Sequence, residues 1–169
     1  MDAPAMTIRI YGDDCLRTKS KPINAVGPEE RLLIQGMLTT MYASQGIGLA
    51  APQIGINQRL FVVDIGQGPV AVINPKILKT KGSDVMEEGC LSLPGVAVDV
   101  KRPQRIVVQY LDQDNRSVQM ELSDLMARVF LHESDHLQGK LISDYAPFYK
   151  KFRLSKSLKS IASADRKIL

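Results

Sequence analysis

His132 and His136 flank Glu133 in the segment His132-Glu133-Ser134-Asp135-His136. If this segment is helical, the two histidines sit about 40° apart around the axis and roughly 6 Å apart along it, so both imidazoles reach one ion. Glu133 lies about 60° from His136 around the same axis, facing the same space but offset. That offset suits a base acting on water at the ion better than a further ligand. An isolated histidine is more often satisfied in a core or solvated. Here the only two histidines of the chain take the one spacing that chelates.

Two histidines leave a catalytic site short of the usual three protein ligands. With no third histidine, the remaining ligand is a carboxylate or a cysteine. Cys90 stands next to Gly89, and a glycine lets backbone approach an ion closely. The competing reading of Cys90 is a small buried hydrophobe, the commonest role of a free cysteine. A glycine-rich segment, Gly46-Ile47-Gly48-Leu49-Ala50-Ala51-Pro52-Gln53, is read on its own as a tight turn.

These residues need elements to hold them. A helix is expected over 28–45, with Pro28 at its first position, Glu29 and Glu30 at the positive end of its dipole, an Ile34/Leu38/Met41 stripe and Gly46 as its stop. Strands are expected at Leu60–Ile65, Val70–Asn74, Val96–Val100, Ile106–Leu111 and Ser117–Leu122. Asp112-Gln113-Asp114-Asn115 supplies turn chemistry between the last two, which predicts a hairpin. The motif helix is expected from about Asp124 to Gln138, with Ser123 as N-cap and Gly139 as stop. A third helix is expected from Phe148, with Leu154, Leu158, Ile161 and Ile168 on one stripe. The fold class is α+β: mostly antiparallel strands around a central motif helix, with an N-terminal and a C-terminal helix. One catalytic domain spans 1–169, with 1–6 as a loose N-terminus and 148–169 as a basic helix or tail.

Composition is that of an ordinary globular chain, 44% hydrophobic and 24% charged, with no apolar stretch able to cross a bilayer. The start carries Asp2 and Pro4 and no basic-then-apolar run, so the expected location is cytoplasmic, with no membrane partner. Cys15 and Cys90 could form one disulfide, but without a secretion signal free thiols or a metal ligand are the better reading. A net charge of +4 and the absence of tryptophan argue against sequence-specific nucleic-acid binding. The basic excess is concentrated in Lys150, Lys151, Arg153, Lys156, Lys159, Arg166 and Lys167, opposed there by Asp165 alone.

Three segments resemble the signature motifs of the peptide deformylases in order and separation: Gly46 to Gln53, Glu88-Gly89-Cys90-Leu91-Ser92, and His132 to His136. The resemblance runs from about Ile8 to Tyr145. It implies removal of the formyl group from the N-terminal methionine of new polypeptides, with release of formate. It implies Cys90, His132 and His136 as ligands of one divalent ion, Fe2+ natively, with Zn2+, Ni2+ or Co2+ as substitutes. It makes Glu133 the general base and then acid, and turns Gln53 and the Leu91 N–H toward the developing oxyanion. It implies that Ile47 and Gly48 pair with the substrate backbone like an added strand; Glu88 and Gly89 are also placed with the substrate.

On the motif helix, Leu125 and Val129 are expected to line the methionine pocket, and Arg128 to stand at its rim toward the peptide backbone, the other reading being a merely solvated arginine. Asp135 is expected to orient a ligand or pair with Arg102. Ser134 stands where the family usually has an apolar residue, and by helical angle it points away from the metal. The basic tail is read as a solvated face or, as in some relatives, a ribosome anchor. Two rivals are a general His-Glu-x-x-His protease, which needs another His or Glu ligand, and a ribosome-associated module with a structural metal, which needs neither Glu133 nor Gln53.

Overall fold

The computed structural model describes residues 4–165. Of the expected loose N-terminus 1–6, residues 1–3 lie outside the described residues, as do the apolar Ile168 and the basic Arg166 and Lys167, whereas Met6 is anchored, its N–H donating to Thr40 Oγ1 at 2.8 Å and its side chain packing on the core. Helix α1 (Pro28–Ala43) is followed by β1 (Gly48–Ala50), β2 (Leu60–Val63), β3 (Val70–Lys81), β4 (Asp84–Gly89), β5 (Ala97–Arg102), β6 (Arg105–Leu111) and β7 (Ser117–Ser123). Helices α2 (Asp124–Leu137) and α3 (Phe148–Asp165) complete the order. The strands form an antiparallel five-stranded sheet, β1-β2-β3-β6-β7, and a separate antiparallel pair, β4-β5.

Alternation along β2 decides the layering. Phe61 and Val63 face a core shared with Val129, Phe130 and Leu137 of α2. Leu60 and Val62 face the opposite core, shared with Ile34, Met37 and Met41 of α1. The large sheet is thus covered by one helix on each face. A third core, under β5, joins Leu16, Leu93, Val98 and Val100 to Leu141, Leu158 and the partly buried Leu154 and Ile161. This matches the stripe read along α3.

The N-terminal turn of α1 is satisfied by Glu30, whose carboxylate accepts from the Gly27 N–H at 2.8 Å. At the other end, the left-handed residue is Gln45 (φ 56), one before the expected stop, and the Gly46 N–H closes back onto the Met41 carbonyl. The β6–β7 hairpin turns as expected. Asp112 Oδ1 accepts from the Asp114 and Arg116 N–H groups, and Asn115 takes φ 60.

Three strands differ from expectation. β1 arises within the glycine-rich segment, too short to show a period. β3 continues past Asn74 to Lys81 through a register shift around Pro75, with its far half exposed. β4 has a largely exposed sequence, Asp-Val-Met-Glu-Glu-Gly, and owes its extension to pairing with β5.

Gly139 ends α2 as expected, with φ 73, and a Cβ there would stand 2.5 Å from the Arg17 carbonyl oxygen. Gly66 also has positive φ (94) but faces open space. Gly139→Ala is therefore expected to lower unfolding stability by more than about 2 kcal/mol, and Gly66→Ala by about 1 kcal/mol, because only the first adds a backbone clash to backbone strain. Denaturant unfolding of the two variants checks the order.

Candidate active site and metal centre

Two stripes on α2 organise the site. Val129, Glu133 and His136, at i, i+4 and i+7, face β1 and the buried side. Arg128, His132 and Asp135, at the same spacing, face the β4–β5 pair. Cys90 follows β4 directly, so the end of that strand delivers its thiol to the histidines. The candidate ligand atoms of Cys90, His132 and His136 all lie within 4.8 Å of one another. Cys90 Sγ and His136 Nε2 are 3.3 Å apart, close to the edge of about 3.5 Å expected when a thiolate and an imidazole share one tetrahedral ion.

The protonation energetics also fit a cation. Burial pushes His136 well below the usual histidine range, so it is neutral and able to donate a lone pair. Burial works to lower His132 too, but hydrogen bonding to Cys90 and Glu88 outweighs it and raises this imidazole to about 10. The surroundings therefore favour a positive charge at His132, which an ion can supply in place of the proton. Soft sulfur with two imidazoles suits a late first-row divalent metal.

Behind His132 lies a buried charge network. His132 Nδ1 is 2.9 Å from Glu88 Oε2, which orients the ring with Nε2 toward the cluster. Arg102 donates to both Glu88 oxygens, at 2.7 and 2.9 Å, and to Asp135 Oδ2 at 2.9 Å. The Tyr145 hydroxyl donates to Asp135 at 2.7 Å. Burial works to raise the Glu88 carboxyl, but His132, Arg102 and Arg128 outweigh it and hold it down to about 2. The stability this adds is complete above the ordinary carboxylate range and is lost only as the pH falls toward 2.

Glu133 is 4% exposed, and burial pushes its carboxyl up to about 7 against the pull of a charged His132. Its Oε2 has no hydrogen-bond partner among the described residues. A Cβ at Gly48 would collide with Glu133 Oε1 and sit 3.0 Å from Val129 Cγ1, so β1 can lie this close only with glycine there. Gln53, buried at 1%, accepts from the Ala50 N–H at 2.8 Å. That fixes its amide so that Nε2 donates to Ser92 Oγ at 3.2 Å and approaches Cys90 Sγ at 3.6 Å.

A cavity of about 420 Å³ opens beside this cluster, lined by Ile47, Gly48, Gln53, Leu91, Val129 and Glu133 among others. Val129 is buried in its wall, while Leu125 stands half-exposed at its mouth. Gly89 also lines it. Glu88 and Arg128 border the cavity, but their charged heads differ from expectation. Glu88 is turned toward its two arginines and His132, behind the ligands. Arg128 is 6% exposed and donates to Glu88 at 2.8 Å, so its guanidinium does not stand at the rim. A carboxylate so buried requires paired, hydrogen-bonded cations, and these two arginines provide them. Asp135 pairs with Arg102, one of the two roles read for it. Ser134 donates to the Phe130 carbonyl of its own helix at 2.7 Å, on the side away from the cluster. Ser92 and Tyr145 escaped the sequence reading: each acts by steadying another polar side chain, and no spacing rule marks that.

Residues 5–152 match the sequence model of the family described as Polypeptide deformylase. The chain is similar to the peptide deformylase of Thermotoga maritima, 47% identical over 156 residues, covering 92% of this chain and 95% of that protein. It superimposes on the crystal structure of peptide deformylase from Thermus thermophilus with a TM-score of 0.89 at 41% identity, covering 96% of this chain and 98% of that one. The Synechococcus elongatus peptide deformylase, solved in complex with actinonin, matches with a TM-score of 0.86 at 40% identity, over 95% of this chain and 88% of that one.

Cys15 provides an internal control for the centre. Burial, with Asp13 beside it, pushes its thiol up to about 12, and Sγ lies 3.3 Å from the Pro52 carbonyl. In chelator-treated protein at pH 8, iodoacetamide is expected to modify Cys90 well before Cys15, and added Zn2+ to protect Cys90 alone. Peptide mapping by mass spectrometry reads both, and equal labelling that zinc leaves unchanged would contradict the assignment.

Proposed function

The chain belongs to the peptide deformylase family, metal-dependent hydrolases that remove the formyl group from N-terminal methionine, and we propose that Cys90, His132 and His136 hold the ion while Glu133 moves the proton. The observation that carries this assignment is the convergence of the three ligand atoms within 4.8 Å beside a buried Glu133. Such an ion, when bound, supplies a Lewis acid that acidifies water and polarises the formyl carbonyl.

The chain's own groups do the rest. Glu133 accepts a proton from the attacking water as oxygen bonds to the formyl carbon. Charge then builds on the formyl oxygen, toward the Gln53 Nε2–H and the Leu91 N–H. The Ala50–Gln53 bond supports this role, since it holds the amide with its N–H side toward Cys90. The Leu91 N–H has no partner among the described residues and is free to donate. As the C–N bond breaks, Glu133 returns the proton to the amine, releasing formate and a free N-terminus.

Two unpaired strand edges frame the substrate path. Among the described residues, β1 is an edge of the large sheet, and β4 pairs only with β5. Contrary to the expectation that Ile47 also pairs with the substrate backbone, its carbonyl is taken by the Asp64 N–H at 3.0 Å, so strand alternation turns the Gly48 N–H and C=O outward instead. An extended formyl-methionyl peptide would add there as a strand, with the methionine side chain among Val129, Leu125 and Ile47. We assign Gly89 to the facing wall.

We further propose Fe2+ as the native ion, with Zn2+, Ni2+ or Co2+ as substitutes, and the cytoplasm as the location. No helix among the described residues is long and apolar enough to cross a membrane. The α3 surface supports docking on the anionic ribosome: Lys156 and Lys159 are exposed, and Phe148, Tyr149 and Phe152 are 91%, 78% and 75% exposed.

Formate release from a formyl-Met peptide is expected to vanish in Glu133→Ala and to fall at least ~100-fold in Gln53→Ala, the cost of about 3 kcal/mol for one oxyanion donor. Gly48→Ala is expected to fall similarly, by displacing Glu133; an unchanged rate in any of the three sinks the role given to that residue. Protein purified without oxygen is expected to carry about one iron and to outperform the air-exposed form, because Fe2+ beside a thiolate oxidises. Equal activity with zinc under both conditions rules iron out. Sedimentation with ribosomes is expected to weaken with salt and in Lys156→Glu/Lys159→Glu, and salt-independent binding would remove α3 as an electrostatic anchor.

A further inference from the structure

Arg128 occupies a place that deformylation chemistry does not require an arginine to fill. It sits one turn before His132 with its side chain 7% exposed. Its Nη1 donates to Glu88 Oε1 at 2.8 Å and to the Val100 carbonyl at 2.9 Å, and Nη2 donates to the Asp84 carbonyl at 3.2 Å. One α2 side chain thereby fastens both strands of the β4–β5 pair.

Its main target is the carboxylate that orients His132. The Glu88 carboxylate group is planar, so a hydrogen bond that holds Oε1 also limits the direction in which Oε2 meets His132 Nδ1. Arg102 grips both Glu88 oxygens, at 2.7 and 2.9 Å, while its remaining donor holds Asp135, and Arg128 adds a third guanidinium hydrogen bond to Glu88 from the α2 side. Arg128 has one carboxylate partner at hydrogen-bond distance, Glu88 Oε1 at 2.8 Å, with a 3.8 Å approach to the half-exposed Asp84 carboxylate. With both arginines present, two guanidinium groups face two carboxylates, those of Glu88 and Asp135, behind His132. Without Arg128, one guanidinium serves both.

We propose that Arg128 is a positioning residue for the metal centre: by fixing Glu88 it holds the His132 ring so that Nε2 stays on the ion. The inference rests on the assignment of Cys90, His132 and His136 as ligands. It predicts an effect on metal retention that is separable from any effect on folding, since losing a partner behind a ligand typically weakens metal affinity about 10- to 100-fold.

Zinc-loaded wild type, Arg128→Met, Arg128→Lys and Glu88→Gln are mixed with a large excess of a chromogenic zinc chelator, and metal release is followed by the absorbance of its zinc complex. Thermal midpoints of the metal-free proteins are measured alongside. Release is expected to be about 10- to 100-fold faster in Arg128→Met and intermediate in Arg128→Lys. In the Glu88→Gln background, Arg128→Met is expected to add little. If Arg128→Met fails to fold, faster release from Arg128→Lys supports the inference, and wild-type release from it overturns it. A lowered metal-free midpoint with wild-type release makes Arg128 purely structural and overturns the inference alone, as do fully additive effects of the Arg128 and Glu88 substitutions. A wild type that retains no zinc overturns the ligand assignment and this inference with it.

Discussion

The Glu88 carboxylate is the point at which the motif helix and the smaller sheet are joined. It is 7% exposed and shared among Arg102, Arg128 and His132. Burying such a network is expensive, and an apolar replacement of the whole could be equally stable, whereas removing one partner from a buried pair typically costs about 3–5 kcal/mol. Its value here is geometric. Cys90 arrives from the end of β4, and His132 and His136 arrive from α2, so the three converge only if strand and helix keep one fixed relation. The hydrogen bonds to Glu88, with Arg102 reaching on to Asp135, hold that relation.

A second constraint works from the opposite side of α2. Gly48 lets β1 run against Glu133 and Val129, which buries the carboxylate and leaves the outer edge of β1 beside the cavity. The same absence of a side chain thus bears on both the carboxylate and the strand edge. It raises the Glu133 carboxyl by excluding water, and it opens a strand edge on which a peptide backbone can add. The proposed peptide path runs where β1 and β4 each have an unpaired edge among the described residues, next to Cys90 at the end of β4.

Much of this was legible because it is local. His132, Glu133 and His136 share one helix, whose period places them without reference to the rest of the fold. The β6–β7 hairpin carried its turn residues, and Gly139 marked the end of α2. What escaped depends on distant partners. β4 has no apolar alternation because pairing with β5 makes it a strand, and β1 is three residues inside a glycine-rich segment. Gln45 rather than Gly46 takes the left-handed position, a difference of one residue that only backbone geometry reveals. Arg128 was read by its nearness to the pocket and placed at the rim. The spacing of Arg128, His132 and Asp135, with Glu88 and Arg102 as complementary charges, was the available sign of a polar stripe turned toward β4 and β5.

The most direct test of the account is X-ray absorption at the metal edge of the loaded protein, because it reads the ligand set itself. One sulfur at about 2.3 Å with two imidazole nitrogens at about 2.0–2.1 Å, the sulfur absent in Cys90→Ala, is the shell the account predicts for zinc. A shell of oxygen and nitrogen only, or one unchanged by Cys90→Ala, would contradict it.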